Sequence, residues 1–191
     1  DSKPGSAEVQ ILKLNLDDKK RTRKIPIDLY WSKEVNSSKP IIIFSHGLGS
    51  VRTELKYLAE HLASYGYPVV TLEHPGSNEA NVNSALVGKN RIMKPQEFLE
   101  RPQDISFVLD QLDASNRNGS FALTGKLATN NVIILGYSFG GSTALAVGGA
   151  EYQLEFLKQR CKDNLAVVSL GEGMQCIDQE LPENDYSFRD T

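Results

Sequence analysis

The sequence predicts an α/β protein: a mostly parallel sheet with helices on both faces and an antiparallel hairpin at its N-terminal end. Three observations carry that reading. Pro40-Ile41-Ile42-Ile43-Phe44, Tyr67-Pro68-Val69-Val70-Thr71-Leu72 and Asn131-Val132-Ile133-Ile134-Leu135 are apolar runs without alternation, as expected of strands covered on both faces. Helical spacing of apolar residues separates them, giving the strand-helix-strand order of parallel units joined by right-handed crossovers. Ahead of all three lie two stretches of strict alternation.

Those alternating stretches come first in the chain. Leu12, Leu14 and Leu16 alternate with Lys13 and Asn15, and Ile25, Ile27, Leu29 and Trp31 with Pro26, Asp28 and Tyr30. Both read as half-buried strands, joined by a turn at Asp17-Asp18-Lys19. Pro26 has no N–H to give a ladder, which places this hairpin at a sheet edge. After the first buried run, Leu55, Leu58, Ala59 and Leu62 mark a helix that Gly66 is placed to end. The second buried run is followed by a mostly polar loop from about Pro75 to Lys89. Ile105, Val108, Leu109 and Leu112 mark a further amphipathic helix. Beyond the third run, Ser142 to Leu157 is rich in helix formers. From Arg160 to Thr191 the text turns polar and acidic and reads as a surface excursion or lid. The division expected is one domain, with residues 1–159 as the N-terminal part of a core and 160–191 as a lid-like insertion.

Composition removes several classes of function. With 191 residues, 40% hydrophobic and 24% charged, the chain has material for a single sizeable core. Its 21 Lys plus Arg against 24 Asp plus Glu leave a net charge of −3, which argues against nucleic acid as a main partner. The basic stretch Lys19-Lys20-Arg21 with Arg23-Lys24 is read as a solvated face. No apolar run approaches the roughly 20 residues of a transmembrane helix. Cys161 and Cys176 lack zinc-site spacing and have no nearby His, so a zinc site is not expected.

The chemistry lies directly after the third buried run. Gly136-Tyr137-Ser138-Phe139-Gly140 is a G-x-S-x-G sequence between a strand and a helix, the context of a nucleophile elbow. Such a turn holds the serine in a strained conformation with Oγ raised above the sheet, and glycines on either side let strand and helix approach. The helix that follows aims its positive end at a developing oxyanion. The first buried run leads into Ser45-His46-Gly47-Leu48-Gly49-Ser50, a turn of the kind that supplies a second oxyanion donor. The backbone N–H groups of Leu48 and Phe139 are the expected pair, Ser138 the nucleophile, and the His46 ring a brace for its loop rather than a base. His61 reads as structural and His74 as packing beside the mouth of the site. Arg101 and Asp104 read as capping and surface pairing.

Several of these segments together resemble a known family. Phe44-Ser45-His46-Gly47-Leu48-Gly49, the helix from Leu58 to Gly66, Glu73-His74-Pro75-Gly76-Ser77-Asn78, the Arg101-Pro102 helix start running to Asp110, and the elbow are similar to the α/β-hydrolase family of platelet-activating-factor acetylhydrolases and dienelactone-hydrolase-like proteins. The resemblance covers about residues 40 to 150 and runs on more weakly toward the cysteines. It implies an α/β-hydrolase fold and cofactor-free cleavage of carboxylic esters, short-acyl or phospholipid-like. Dienelactone hydrolases use a cysteine nucleophile, so Ser138 points to the serine acetylhydrolase branch.

A serine nucleophile needs a base and an orienting acid, which follow it in the chain in this architecture. His46, His61 and His74 all precede Ser138, while Asp178, Asp185 and Asp190 follow it in text that reads as solvated surface. The expectation is an N-terminal part of a longer hydrolase, with acid and base beyond residue 191. The competing reading is a short, catalytically inactive member that binds a ligand or partner. A sheet cut at an internal strand would offer an apolar face to a complementing C-terminal segment or to a second copy. Cys161 and Cys176 either pair, which favours a secreted or periplasmic setting, or remain free thiols.

Overall fold

A computed structural model of the chain describes residues 3–89, 91–94, 96–119, 122–151 and 159. Along these residues run β1 (Val9–Asp18), β2 (Arg23–Ser32), β3 (Pro40–Ser45), α1 (Lys56–Ser64), β4 (Val69–Leu72), α2 (Glu79–Leu86), α3 (Glu97–Asn118), β5 (Ala128–Gly136) and α4 (Phe139–Val147). The strands form one sheet in the order β1-β2-β4-β3-β5. β1, β2 and β4 pair antiparallel, whereas β4, β3 and β5 run parallel. Cys161 and Cys176, the aspartates at 178, 185 and 190 and the lid-like insertion lie outside the described residues.

Side-chain pattern explains the layers. Ile25, Ile27 and Leu29 of β2, Ile41 and Ile43 of β3 and Val70 and Leu72 of β4 pack with Ile105, Val108 and Leu112 of α3. The opposite sheet face, with Tyr30, Ile42, Phe44 and Val69, is covered by Ala59 and Ala63 of α1. β2 is therefore buried on both faces rather than half-buried, because the antiparallel strand at Asp28 and Tyr30 lies under α1 and its flanking loop. The hairpin does form a sheet edge, but β1 is the outermost strand. Pro26 is tolerated in β2 because its carbonyl accepts from Glu73 N–H at 2.9 Å, on the side where β4 has just ended, so no ladder donor is required there.

Four further elements differ from the sequence reading. The polar stretch after β4 contains a helix, α2, started by Asn78, whose side chain accepts from Asn81 N–H at 3.0 Å. α3 begins a turn before the Arg-Pro pair and carries Pro102 inside it. β5 is not buried on both faces: it is the outer strand of the described sheet, and Ile133 and Leu135 are 42% and 38% exposed. α4 also starts earlier than Ser142, at Phe139, directly behind the elbow.

This topology places the site. α1 leaves β3 for β4 on one side, and β5 enters on the other side of β3. Chain order thus reverses between β3 and β5, and a crevice opens at the carboxyl ends of strands where such a reversal occurs. The Ser45–Ser50 turn and the Gly136–Gly140 elbow are the two segments that leave those ends.

Candidate active site

Ser138 joins β5 to α4 with φ 52° and ψ −120°, the left-handed side of backbone space for a non-glycine residue. Holding a side chain there costs on the order of 1–3 kcal/mol, offset only where the surroundings dictate the turn. They do so through two glycines. A Cβ on Gly136 would lie 1.9 Å from the Gly140 carbonyl oxygen, and one on Gly140 would lie 1.9 Å from the Ser45 carbonyl oxygen. Strand, elbow and the end of β3 therefore meet backbone to backbone. Ser138 is exposed, while Phe139 and Gly140 behind it are buried.

The facing turn is fixed by hydrogen bonds to its neighbours. Gly49 N–H donates to the Ser77 carbonyl at 2.8 Å, and Glu79 N–H to the Ser50 carbonyl at 3.1 Å. His46 braces it from within. The backbone N–H of His74 donates to His46 Nε2 at 3.0 Å, so that nitrogen carries no proton. The ring proton then sits on Nδ1 and donates to the Gly47 carbonyl at 2.6 Å. That carbonyl belongs to the peptide whose other end is Leu48 N–H, so the histidine sets the orientation of this amide. Burial, followed by the nearby Arg101 charge, pushes His46 down to about 4 and keeps it neutral.

Behind this turn lies a buried polar network that the sequence reading placed on the surface. Arg101 and Asp104 are fully buried, and His74 is sealed inside rather than at a mouth. His74 Nδ1 donates to Asp104 at 2.9 Å, and Ser45 Oγ donates to His74 Nε2 at 2.9 Å. Burial holds His74 well below its ordinary value, with Arg101 the next cause. Burial pushes the Asp104 carboxyl up, opposed by the guanidiniums of Arg23 and Arg21. Arg23 binds Asp104 and Glu97, each at 2.8 Å, and Arg21 binds Asp104 at 2.9 Å and Glu100 at 2.8 Å. Two arginines of the basic stretch are therefore drawn inward by carboxylates of α3, while Lys19, Lys20 and Lys24 are exposed. A signal for this existed: Arg101 falls on the same helical stripe as Ile105, Val108 and Leu112.

His61 lies on α1 with its ring 5.3 Å from Tyr65, a structural setting. Both ring nitrogens of His46 and of His74 are engaged away from Ser138. Among the described residues, no group of three or more His, Cys, Asp or Glu is arranged to hold a metal ion. No helix among them is long and apolar enough to cross a membrane.

The family model for platelet-activating factor acetylhydrolase, isoform II, matches residues 22–117. The chain belongs to that family. The matched stretch includes Leu48, His74 and Arg101 and ends ahead of Ser138. Platelet-activating factor acetylhydrolases of the dog and of cattle are each 28% identical to the chain, over 168 and 169 residues. Each alignment covers 83% of this chain and 36% of the relative. A probable 1-alkyl-2-acetylglycerophosphocholine esterase of Arthroderma benhamiae is 28% identical over 119 residues, or 58% of this chain and 28% of that protein. The chain thus spans little more than a third of the acetylhydrolases it matches. A solved ferulic acid esterase from Streptomyces cinnamoneus superposes with a TM-score of 0.52 at 20% identity, covering 75% of this chain and 56% of that one. The chain has the α/β-hydrolase fold.

Proposed function

We propose that the whole protein is a serine-dependent hydrolase of carboxylic esters, short-acyl or phospholipid-like, with Ser138 as nucleophile and the backbone N–H groups of Leu48 and Phe139 as oxyanion donors. The observation that carries this is the backbone of Ser138, at φ 52° between β5 and α4, with glycines that only a close strand-helix approach requires. The names of the acetylhydrolase relatives support the substrate class.

Ser138 Oγ attacks the acyl carbon as a base removes its proton. The tetrahedral oxyanion accepts hydrogen bonds from the two amides. Collapse breaks the ester C–O bond, and the alcohol leaves with the proton. Water then attacks the acyl-enzyme by the same route in reverse roles, releasing the acid and restoring Ser138. Each amide donor in such a pair contributes about 2.7–4 kcal/mol to the transition state. The base and its carboxylate partner come from outside the described residues, since His46 and His74 are engaged elsewhere. The exposed apolar side chains of Ile133, Leu135, Tyr137 and Leu145 beside the elbow support a reading in which more polypeptide packs against β5.

A fluorophosphonate probe tests the assignment in the full-length protein. It is expected to label Ser138 and to leave Ser138→Ala unlabelled. A folded full-length protein that resists the probe overturns the catalytic reading in favour of a binding protein.

A further inference from the structure

We infer that Arg101 is a positioning residue that sets the separation of the two oxyanion amides, an inference that rests on the proposed roles of Leu48 and Phe139. Arg101 projects from α3 and is fully buried. One edge of its guanidinium reaches the β3 side of the crevice. Nη2 donates to the carbonyl of His46 and, at 3.1 Å, to Ser45 Oγ. Nη1 donates at 2.9 Å to Ser77 Oγ, and Ser77 is the residue whose carbonyl holds Gly49 N–H. The other reach of the same group goes to α4. Nε donates at 3.0 Å to Thr143 Oγ1, which in turn donates at 3.0 Å to the carbonyl of Phe139. The guanidinium carbon also stands 4.3 Å from the centre of the Phe139 ring, which packs edge-to-face with Phe98 of α3, their centres 4.8 Å apart.

One rigid, planar group therefore grips both half-sites. On the first it fixes the peptide before Gly47, and His46 fixes the next one, which carries Leu48 N–H. On the second it reaches Phe139 through Thr143 and by stacking. The two segments also meet directly, with Gly140 against the Ser45 carbonyl, and α3 adds a side chain that bonds to both sides of that contact. The planar fork matters here, since it presents several N–H groups at fixed angles, which an ammonium cannot do. Misplacing one donor by a fraction of an ångström weakens the hydrogen bond to the transition state while leaving substrate binding nearly unaltered.

The test compares Arg101→Lys with the unaltered full-length protein, using 4-nitrophenyl acetate turnover, thermal unfolding and the rate of fluorophosphonate labelling. The expected result is a loss of kcat of about tenfold or more with KM changed less than twofold. The labelling rate falls in parallel, and a folded Arg101→Ala variant is partly rescued by added methylguanidinium. An Arg101→Lys variant that folds and keeps its kcat, or whose activity falls only with its folded fraction, overturns the inference. Should neither Arg101 variant fold, Thr143→Val decides: a kcat lowered several-fold at constant KM supports the link to Phe139, and an unchanged kcat overturns it. Ser138→Ala separates the two levels. If that variant still hydrolyses the ester, the proposed function fails; if it is inactive while the Arg101 and Thr143 variants match the parent, only the positioning role fails.

Discussion

Two serines lie at and just past the ends of neighbouring parallel strands, and they differ in almost everything else. Ser45, at the end of β3, donates to His74, which donates to Asp104, so it has the hydrogen-bond connectivity of a catalytic triad. It is fully buried, its backbone is ordinary β-strand, and its oxygen also accepts from Arg101. Ser138 lies just past Gly136, the register partner of Ser45. It is exposed and strained, and it sits at the start of a helix, with no described histidine hydrogen-bonded to it. The contrast shows that a Ser-His-Asp chain is not by itself a reactive centre. Ser45 lacks the access to solvent that Ser138 has, and its buried chain serves to hold β3, β4 and α3 in register.

The contrast is sharpest when each serine is removed. In the full-length protein, Ser138→Ala is expected to lower ester turnover by roughly 10⁴-fold or more. Ser45→Ala is expected to keep probe labelling at Ser138 while lowering the melting temperature. Labelling at Ser45, or turnover surviving in Ser138→Ala, would reverse the assignment. The next largest effect concerns the close contact between the two strands. Gly140→Ala places a methyl on the Ser45 carbonyl and is expected to cost about 3 kcal/mol or more in denaturant unfolding. A variant as stable as the parent would mean that the strands do not meet in this way.

The buried side of the comparison also has a pH signature. His46 and His74 are held below their ordinary values in the folded state, so the unfolded chain binds more protons between pH 4 and 6.5. Stability is therefore full above the ordinary histidine value and declines as pH falls through that window. His46 alone accounts for about 3 kcal/mol on this scale. Unfolding midpoints measured from pH 7 to 4 check this, and His46→Asn should flatten part of the decline. The smallest effect is expected at the rim of the turn, where Asn78→Ala removes the cap of α2 and costs about 1 kcal/mol. Thermal melting resolves it.

The bend at Ser138 was legible in sequence because its signal is local: a strand, a glycine on each side of a serine, a helix. The parallel core was legible for a similar reason, since strands such as Ile41–Phe44 show their burial in uninterrupted apolar text. Arg101, Asp104 and His74 were misread because their partners lie far along the chain, and a charged residue is usually on the surface unless something distant neutralises it. Arg23, separated from Asp104 by almost the whole hairpin-to-helix span, is such a partner. β5 reads as a doubly covered strand on composition alone, and only its place at the outside of the described sheet leaves Ile133 and Leu135 uncovered. α2 was missed because its apolar content is low and its start depends on a single side-chain cap at Asn78.

The pairing of β3 with β5 has a consequence for how the molecule is built. Ile42 meets Val69 across a short stretch of chain, but it meets Ile133 only after roughly 90 residues have been threaded between them. Contacts of long separation carry the greater closure entropy and form late. The hairpin, β4 and β3 can assemble early as the polypeptide emerges, whereas the histidine-bearing turn waits for its partner until the final described strand arrives. The juxtaposition of the Ser45–Ser50 turn with the bend at Ser138 is thus among the last features this architecture acquires during folding.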